Sequence, residues 1–220
     1  MTAVRIGITG PIGCGKSTIA SWLGEAGAVV IDADRVARLV TGPGWPAVAE
    51  IASTFGAELL REDGSLDRGA LGRIVFSDPA ALAELEAIVH PAVRPVILEE
   101  LSAAEKAGAP AVVIEAIKLV EGGLAELCDE VWLIVCAEDV QLARLENRLS
   151  VAGGDPGDAE ARITSQSGLI ARLAAVATRI LDSSDDAATT RAEVGQAYAE
   201  ALIAHQAPRA ATGDRPSPGP

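Results

Sequence analysis

Nothing in this chain constrains its fold more than the run Gly10-Pro11-Ile12-Gly13-Cys14-Gly15-Lys16-Ser17-Thr18, which carries the complete G-x-x-x-x-G-K-S spacing. An apolar stretch, Val4-Arg5-Ile6-Gly7-Ile8, leads into it, and the helix-compatible stretch Ser17 to Leu23 leads out. Strand, glycine loop and helix in that order form a phosphate cradle. Glycine at 10, 13 and 15 lets the backbone bend so that successive N–H groups point inward at a phosphate. The new helix adds its positive end, Lys16 reaches the β- and γ-oxygens, and Ser17 offers a hydroxyl to the Mg²⁺ that bridges them. The chain is therefore expected to bind a nucleoside triphosphate.

Further strand-like runs recur at Arg5–Ile8, Ala28–Ile31, Ala111–Ile114, Glu130–Val135 and Thr178–Leu181, with helical patterns between them. The expected fold class is α/β: a P-loop NTPase-type parallel sheet flanked by helices, with ligands at the carboxyl ends of the strands. About eighty residues separate the second and third strands, far more than a crossover needs. Ser77-Asp78-Pro79 opens a helix there, with Leu82, Leu85, Ile88 and Val89 along one face. This stretch reads as a helical insertion that binds the second substrate. After the fourth strand, Glu138–Leu149 is helical, Gly153-Gly154-Asp155-Pro156-Gly157 is a flexible tip, and Asp158–Ala175 returns as helix. A hairpin with arginines at its base suggests a closing lid; an ordinary surface hairpin is the other reading. The expected organisation is a nucleotide-binding core from 1–33, 111–137 and 176–205, an acceptor insertion over 34–110, a lid over 138–175 and a disordered tail over 206–220.

The second strand ends in Ile31-Asp32-Ala33-Asp34. Alternation along an extended chain puts Asp32 and Asp34 on one side, at the rim of the phosphate loop. A phosphotransferase needs a carboxylate there to orient the acceptor hydroxyl and take its proton. Helix capping is the competing role, and for Asp32 so is a place in the metal shell.

Composition excludes more than it assigns. A formal net charge of −13 argues against a nucleic-acid partner. No apolar stretch is long enough to span a bilayer, and no signal peptide is evident, so a cytoplasmic enzyme is expected. The three cysteines, Cys14, Cys128 and Cys136, lack metal-ligand spacing and read as reduced thiols, with Cys14 a small filler in the loop. A GTPase-type switch would need an Asn-Lys-x-Asp segment, which the chain does not contain.

Together these residues resemble the dephospho-coenzyme A kinases. The resemblance runs through Gly7 to Thr18, Asp32-Ala33-Asp34 with Ala37-Arg38, Leu66-Asp67-Arg68, Leu85-Glu86 with Ile88-Val89-His90-Pro91, Gln141 to Leu145, and Ala161-Arg162-Ile163 with Gln166. It covers roughly residues 4–182 and implies transfer of the ATP γ-phosphate to the ribose 3′-hydroxyl of dephospho-coenzyme A, with Mg²⁺. By position it implies that Lys16 neutralises the transferring phosphoryl group and Asp34 acts as base. Arg144 would stabilise charge from the lid, with Arg148 sharing that work or contacting the nucleotide. The resemblance places Asp182 near adenine, and Arg38, Arg68, His90, Lys118 and Glu121 with Asp34 around the acceptor. Ser17, with Asp32 or Glu115, would hold the metal. Structural roles stay open for two of these: His90 as a helix-end histidine and Arg68 as a salt bridge. Arg94 and Arg162 read as surface charges. After the third strand the family usually shows an Asp-x-Pro-Leu-Leu segment ending in Glu. This chain has Glu115-Ala116-Ile117-Lys118-Leu119-Val120-Glu121, which loses the proline and gains a lysine. Lys118 is either a contact to the acceptor's pyrophosphate or a solvated loop residue. The alternatives in function are another small-molecule P-loop kinase, acting on a nucleoside monophosphate or an alcohol, and a degenerate relative that only binds nucleotide. A monomer or weak homo-oligomer is expected.

Overall fold

A computed structural model describes residues 3–206. Its centre is a five-stranded parallel sheet in the order β2-β3-β1-β4-β5. The strands are β1 (Val4–Thr9), β2 (Val29–Asp32), β3 (Ala111–Glu115), β4 (Glu130–Val135) and β5 (Arg179–Asp182). All five expected strands form, each within a residue or so of its expected limits. The Val- and Ile-rich β3 and β4 are buried on both faces, while the edge strands β2 and β5 are partly exposed.

Side-chain alternation sorts the two faces. Val4, Ile6 and Ile8 point to one side with Val113, Trp132 and Ile134. There they meet Ile19 and Leu23 of α1 (Lys16–Glu25), and Val194, Tyr198 and Ala201 of α9 (Ala187–Gln206). On the opposite face Val112, Ile114 and Val131 meet Val36 and Val40 of α2 (Ala33–Val40). They also meet Val93, Ile97 and Leu101 of α5 (Pro79–Lys106).

The segment between β2 and β3 adds α3 (Pro46–Phe55) and α4 (Arg68–Ser77). These close a small core of their own around Ile51, Leu59, Leu71 and Val75. Helix α5 serves both cores, since Ile88 belongs to the insertion and Val93 onward lies under the sheet. Asp78 caps α5 through Ala80 N at 2.8 Å, with Pro79 in the first turn, as the sequence signals predict. His90 does not stand at a helix end; the helix runs on through Pro91 and Pro95.

After β4 the chain forms α6 (Glu138–Val151), α7 (Asp158–Thr164) and α8 (Leu169–Ala174). The single returning helix expected over 158–175 is thus two helices. Gly168, at φ 73°, takes a left-handed conformation that breaks the run. Leu145 and Leu149 of α6 pack with Ala159 of α7 and with Ile12 of the phosphate loop. Of the expected disordered tail, Gln206 closes α9 and the rest lies outside the described residues.

Candidate active site

The phosphate loop leaves β1 beside β4, so close that a Cβ on Gly10 would lie 2.1 Å from the Ile134 carbonyl oxygen. Only glycine fits. The same closeness brings Cys14 against Cys136, whose Cα atoms are 5.3 Å apart and which are joined as a disulfide. This corrects the expectation of reduced thiols at those two positions. They are 122 residues apart in sequence and meet only because β1 pairs with β4. Cys128 is free, and burial pushes its thiol up to about 12, which leaves it unreactive.

Lys16 begins α1 and is buried. Its ammonium donates to the carbonyls of Gly10 and Pro11, both at 2.9 Å. Burial pulls its pKa down to about 8, against the raising effect of Glu115 and Asp34. A bound triphosphate restores the charged form, so MgATP binding near pH 8 should take up about half a proton, rising toward one as the pH climbs further, and only about a tenth of one a unit below. Calorimetry in two buffers of different ionisation enthalpy checks this. Equal heats in both buffers above pH 8 would contradict it.

The carboxylates gather at the strand ends. Glu115 ends β3 in register with Asp32 at the end of β2. Ser17 Oγ donates to Glu115 Oε1 at 2.6 Å. Desolvation raises the Glu115 pKa, with Ser17 and Lys16 opposing. Asp32 caps α2 by accepting from Arg35 N at 2.8 Å, and it pairs with Arg38 at 3.8 Å. Helix α2 starts at Ala33, so Asp34 sits in its first turn and strand alternation does not govern it. Desolvation raises the Asp34 pKa, neighbouring Asp32 adds to that, and Arg38 and Lys16 oppose it.

From the other side, the segment after β4 reaches the loop at Ile12. Gln166 Oε1 accepts from Ile12 N at 2.8 Å, and Gln141 Nε2 donates to Ile12 O at 2.7 Å. Arg144 is anchored on Ser183, through Nη1 to Oγ at 3.2 Å and Nη2 to the carbonyl at 2.8 Å. Ser183 Oγ in turn donates to Cys14 O at 2.8 Å, which ties the end of β5, α6 and the loop together.

Two cavities result. The larger, about 550 Å³, is walled by Gly13, Gly15, Lys16, Ser17 and Thr18, by Glu115, and by Arg144 and Arg148. Its other end is formed by Ile19, Trp22, Ala187 and Thr190. The smaller, about 210 Å³, lies between α2, α5 and the loop after β3, and includes His90, Lys118 and Glu86. Asp34 lines both.

Several expected residues stand elsewhere. Asp182 accepts from its own turn, from Ser184 N at 2.8 Å and Ser184 Oγ at 2.5 Å, while the next residue, Ser183, lines the large cavity. Arg68 Nη2 is spent on Arg38 O at 3.0 Å and Thr41 Oγ1 at 2.9 Å, which ties α4 to the end of α2. Arg68, Arg38 and the exposed Glu121 do not line the small cavity. Lys118 is exposed in the loop and ion-paired with Glu86. Arg94 also does more than a surface charge, because its Nη1 donates to Gly123 O at 2.8 Å. Sequence reading missed Trp22, Ser183 and Thr190. Ser183 was within reach, since it follows the carboxyl end of a parallel strand, where ligands sit.

The family model "Dephospho-CoA kinase" matches residues 4–189. The chain belongs to the dephospho-CoA kinase family. It is 43% identical over 217 residues to a dephospho-CoA kinase of Moorella thermoacetica, covering 97% of this chain and 96% of that one. It is 42% identical over 207 residues to one of Streptomyces avermitilis, covering 92% and 97%. Among solved structures, a dephospho-CoA kinase from Campylobacter jejuni superposes with a TM-score of 0.67 at 27% identity, over 92% of this chain and 98% of that one. A shikimate kinase from Bacteroides thetaiotaomicron, at 16% identity and TM-score 0.52 over 90% and 97%, shares the fold. The family's hallmark residues now have physical reasons. Gln141 and Gln166 clamp the loop peptide at Ile12, and Asp67 caps α4 by accepting from Ala70 N at 2.9 Å.

Proposed function

We propose that this protein transfers the γ-phosphate of ATP to the ribose 3′-hydroxyl of dephospho-coenzyme A, giving coenzyme A and ADP, the final step of coenzyme A synthesis. The observation that carries the reading, beyond family membership, is that Asp34 borders both cavities. A carboxylate at that junction can face a γ-phosphate on one side and an acceptor hydroxyl on the other. The nucleotide lies in the larger cavity, its phosphates at Lys16, Ser17 and the loop N–H groups, its base toward Trp22, Ala187 and Thr190. The acceptor ribose lies in the smaller one.

In this reading each residue does one physical task. Asp34, with its pKa raised, orients the 3′-hydroxyl and accepts its proton. Lys16 leaves the two loop carbonyls for the β- and γ-oxygens, and stabilises the charge that builds on them. Arg144 and Arg148 add positive charge from the lid, with Arg144 held in place by Ser183. The lid packed over Ile12 keeps water from competing with the acceptor.

Mg²⁺ fits the donor set. Ser17 and Glu115 supply hard oxygens 2.6 Å apart, and Glu115 is destabilised as an anion by desolvation. No group of three or more ligating side chains could hold a metal among the described residues, as suits an ion that takes its remaining ligands from substrate phosphates. When bound, the ion would neutralise β- and γ-phosphate charge. No described helix is long and apolar enough to cross a membrane, and we place the reaction in the cytoplasm.

The test is ADP release with MgATP and a panel of dephospho-coenzyme A, adenosine, AMP, CMP, shikimate and pantothenate. Turnover with dephospho-coenzyme A alone, giving a product with the mass of coenzyme A, is expected. Turnover with another acceptor only would overturn the substrate, and bound ATP with no turnover at all would mark a degenerate relative.

A further inference from the structure

Helix α5 carries Glu86, His90 and Arg94 at four-residue spacing, one per turn on a single face. Each meets the loop that follows β3. Glu86 is ion-paired with Lys118. His90 lies against Gly122, where a Cβ would be 3.7 Å from its Cδ2 and Nε2. Arg94 holds the Gly123 carbonyl at 2.8 Å and faces Glu126 at 3.6 Å. The Arg94–Gly123 bond holds backbone and does not depend on the loop's side chains. The Glu86 pair depends on Lys118 alone.

Lys118 is the only lysine or arginine among the described residues lining the smaller cavity, where two carboxylates, Asp34 and Glu86, also stand. An anionic acceptor would enter a pocket whose one fixed cation is already neutralised. That neutralisation is weak, because the lysine side chain is 47% exposed and the glutamate 25%. Ion pairs this open to solvent are readily exchanged. A diphosphate offers more charge and more acceptor oxygens than one carboxylate. Lys118 and Asp34 line the same small cavity, of about 210 Å³.

We propose that Lys118 determines acceptor specificity by ion-pair exchange: it rests on Glu86 in the free protein and moves to the 5′-diphosphate of the acceptor as the ribose 3′-hydroxyl reaches Asp34. The inference rests on the acceptor reading given above. It gives a role to a lysine that stands in an otherwise apolar run, beside two carboxylates, in a cavity that receives an anionic substrate. Glu86 acts as a placeholder that keeps the ammonium at the rim.

Steady-state kinetics with MgATP and dephospho-coenzyme A test it in the wild type, Lys118→Met, Lys118→Arg, Glu86→Gln and the Lys118→Met/Glu86→Gln double variant. Lys118→Met should raise KM for the acceptor about tenfold, the size of one lost charge-assisted hydrogen bond, with kcat and KM for ATP within about twofold. Lys118→Arg should stay near wild type. Glu86→Gln frees the lysine and should lower acceptor KM about threefold, and in the Lys118→Met background it should change nothing. A merely structural latch gives a different pattern: Glu86→Gln and Lys118→Met would both raise KM and both lower the melting temperature. That result overturns the proposal. Wild-type turnover with an unchanged KM in Lys118→Met overturns this inference alone, whereas no wild-type turnover of dephospho-coenzyme A overturns the acceptor reading and this inference with it.

Discussion

Lys16→Ala should lower kcat by about 10³-fold, a loss of ~4 kcal/mol of transition-state stabilisation. The ammonium is buried and, among the described residues, has only the Gly10 and Pro11 carbonyls as hydrogen-bond partners. Carbonyl dipoles are poor compensation for a desolvated cation, as its fall to a pKa of about 8 records. The site therefore holds a charge whose best partners are absent until a triphosphate arrives. In water such a contact would contribute little; at the floor of this cavity it is worth several kcal/mol. Lys16→Arg should recover little of the rate, since a guanidinium cannot occupy a slot shaped by two carbonyls around a single nitrogen. Single-turnover measurement with saturating MgATP, alongside thermal unfolding of each variant, checks the point. Turnover of Lys16→Ala within tenfold of wild type, with the fold intact, would remove the lysine from the chemistry.

Asp34→Asn should lower kcat by a comparable factor of about 10³ while the Kd for MgATP stays within about twofold. The substitution keeps shape and removes the proton acceptor. Because desolvation, and then Asp32, raise the Asp34 pKa, the residue protonates at a higher pH than an ordinary aspartate. As pH falls through that raised value the base is lost, so the acid limb of kcat/KM should lie above the usual carboxylate range. Asp32→Asn removes a like charge and should move that limb to lower pH. Equal loss of ATP binding and turnover in Asp34→Asn would make the residue a nucleotide contact instead.

Much of this was legible in the chain because local patterns carry their own geometry. The phosphate loop needs only its glycines, its lysine and the strand and helix on either side, all within about twenty consecutive residues. The five strands announced themselves as apolar runs, and β3 and β4, buried on both faces, are Val- and Ile-rich. The α5 cap at Asp78-Pro79 was likewise local.

The rest depended on partners far apart in sequence. That Asp34 stands between two cavities follows from α2 beginning at Ala33, within the extended run that alternation along β2 assumes. Ser183 matters because β5 ends beside the loop 169 residues away. Arg68 reads in sequence as an acceptor contact or a salt bridge, and only the fold shows that its guanidinium bonds the oxygens at the end of α2 and ties α4 to it. Lys118 and Arg94 gain partners only when α5 crosses the loop after β3. The sequence by itself determined the strands, the phosphate cradle and the family, since each rests on neighbours along the chain. The tertiary structure decided which charges face one another, because a charge's partner and its desolvation are properties of the packed molecule and no short segment contains them.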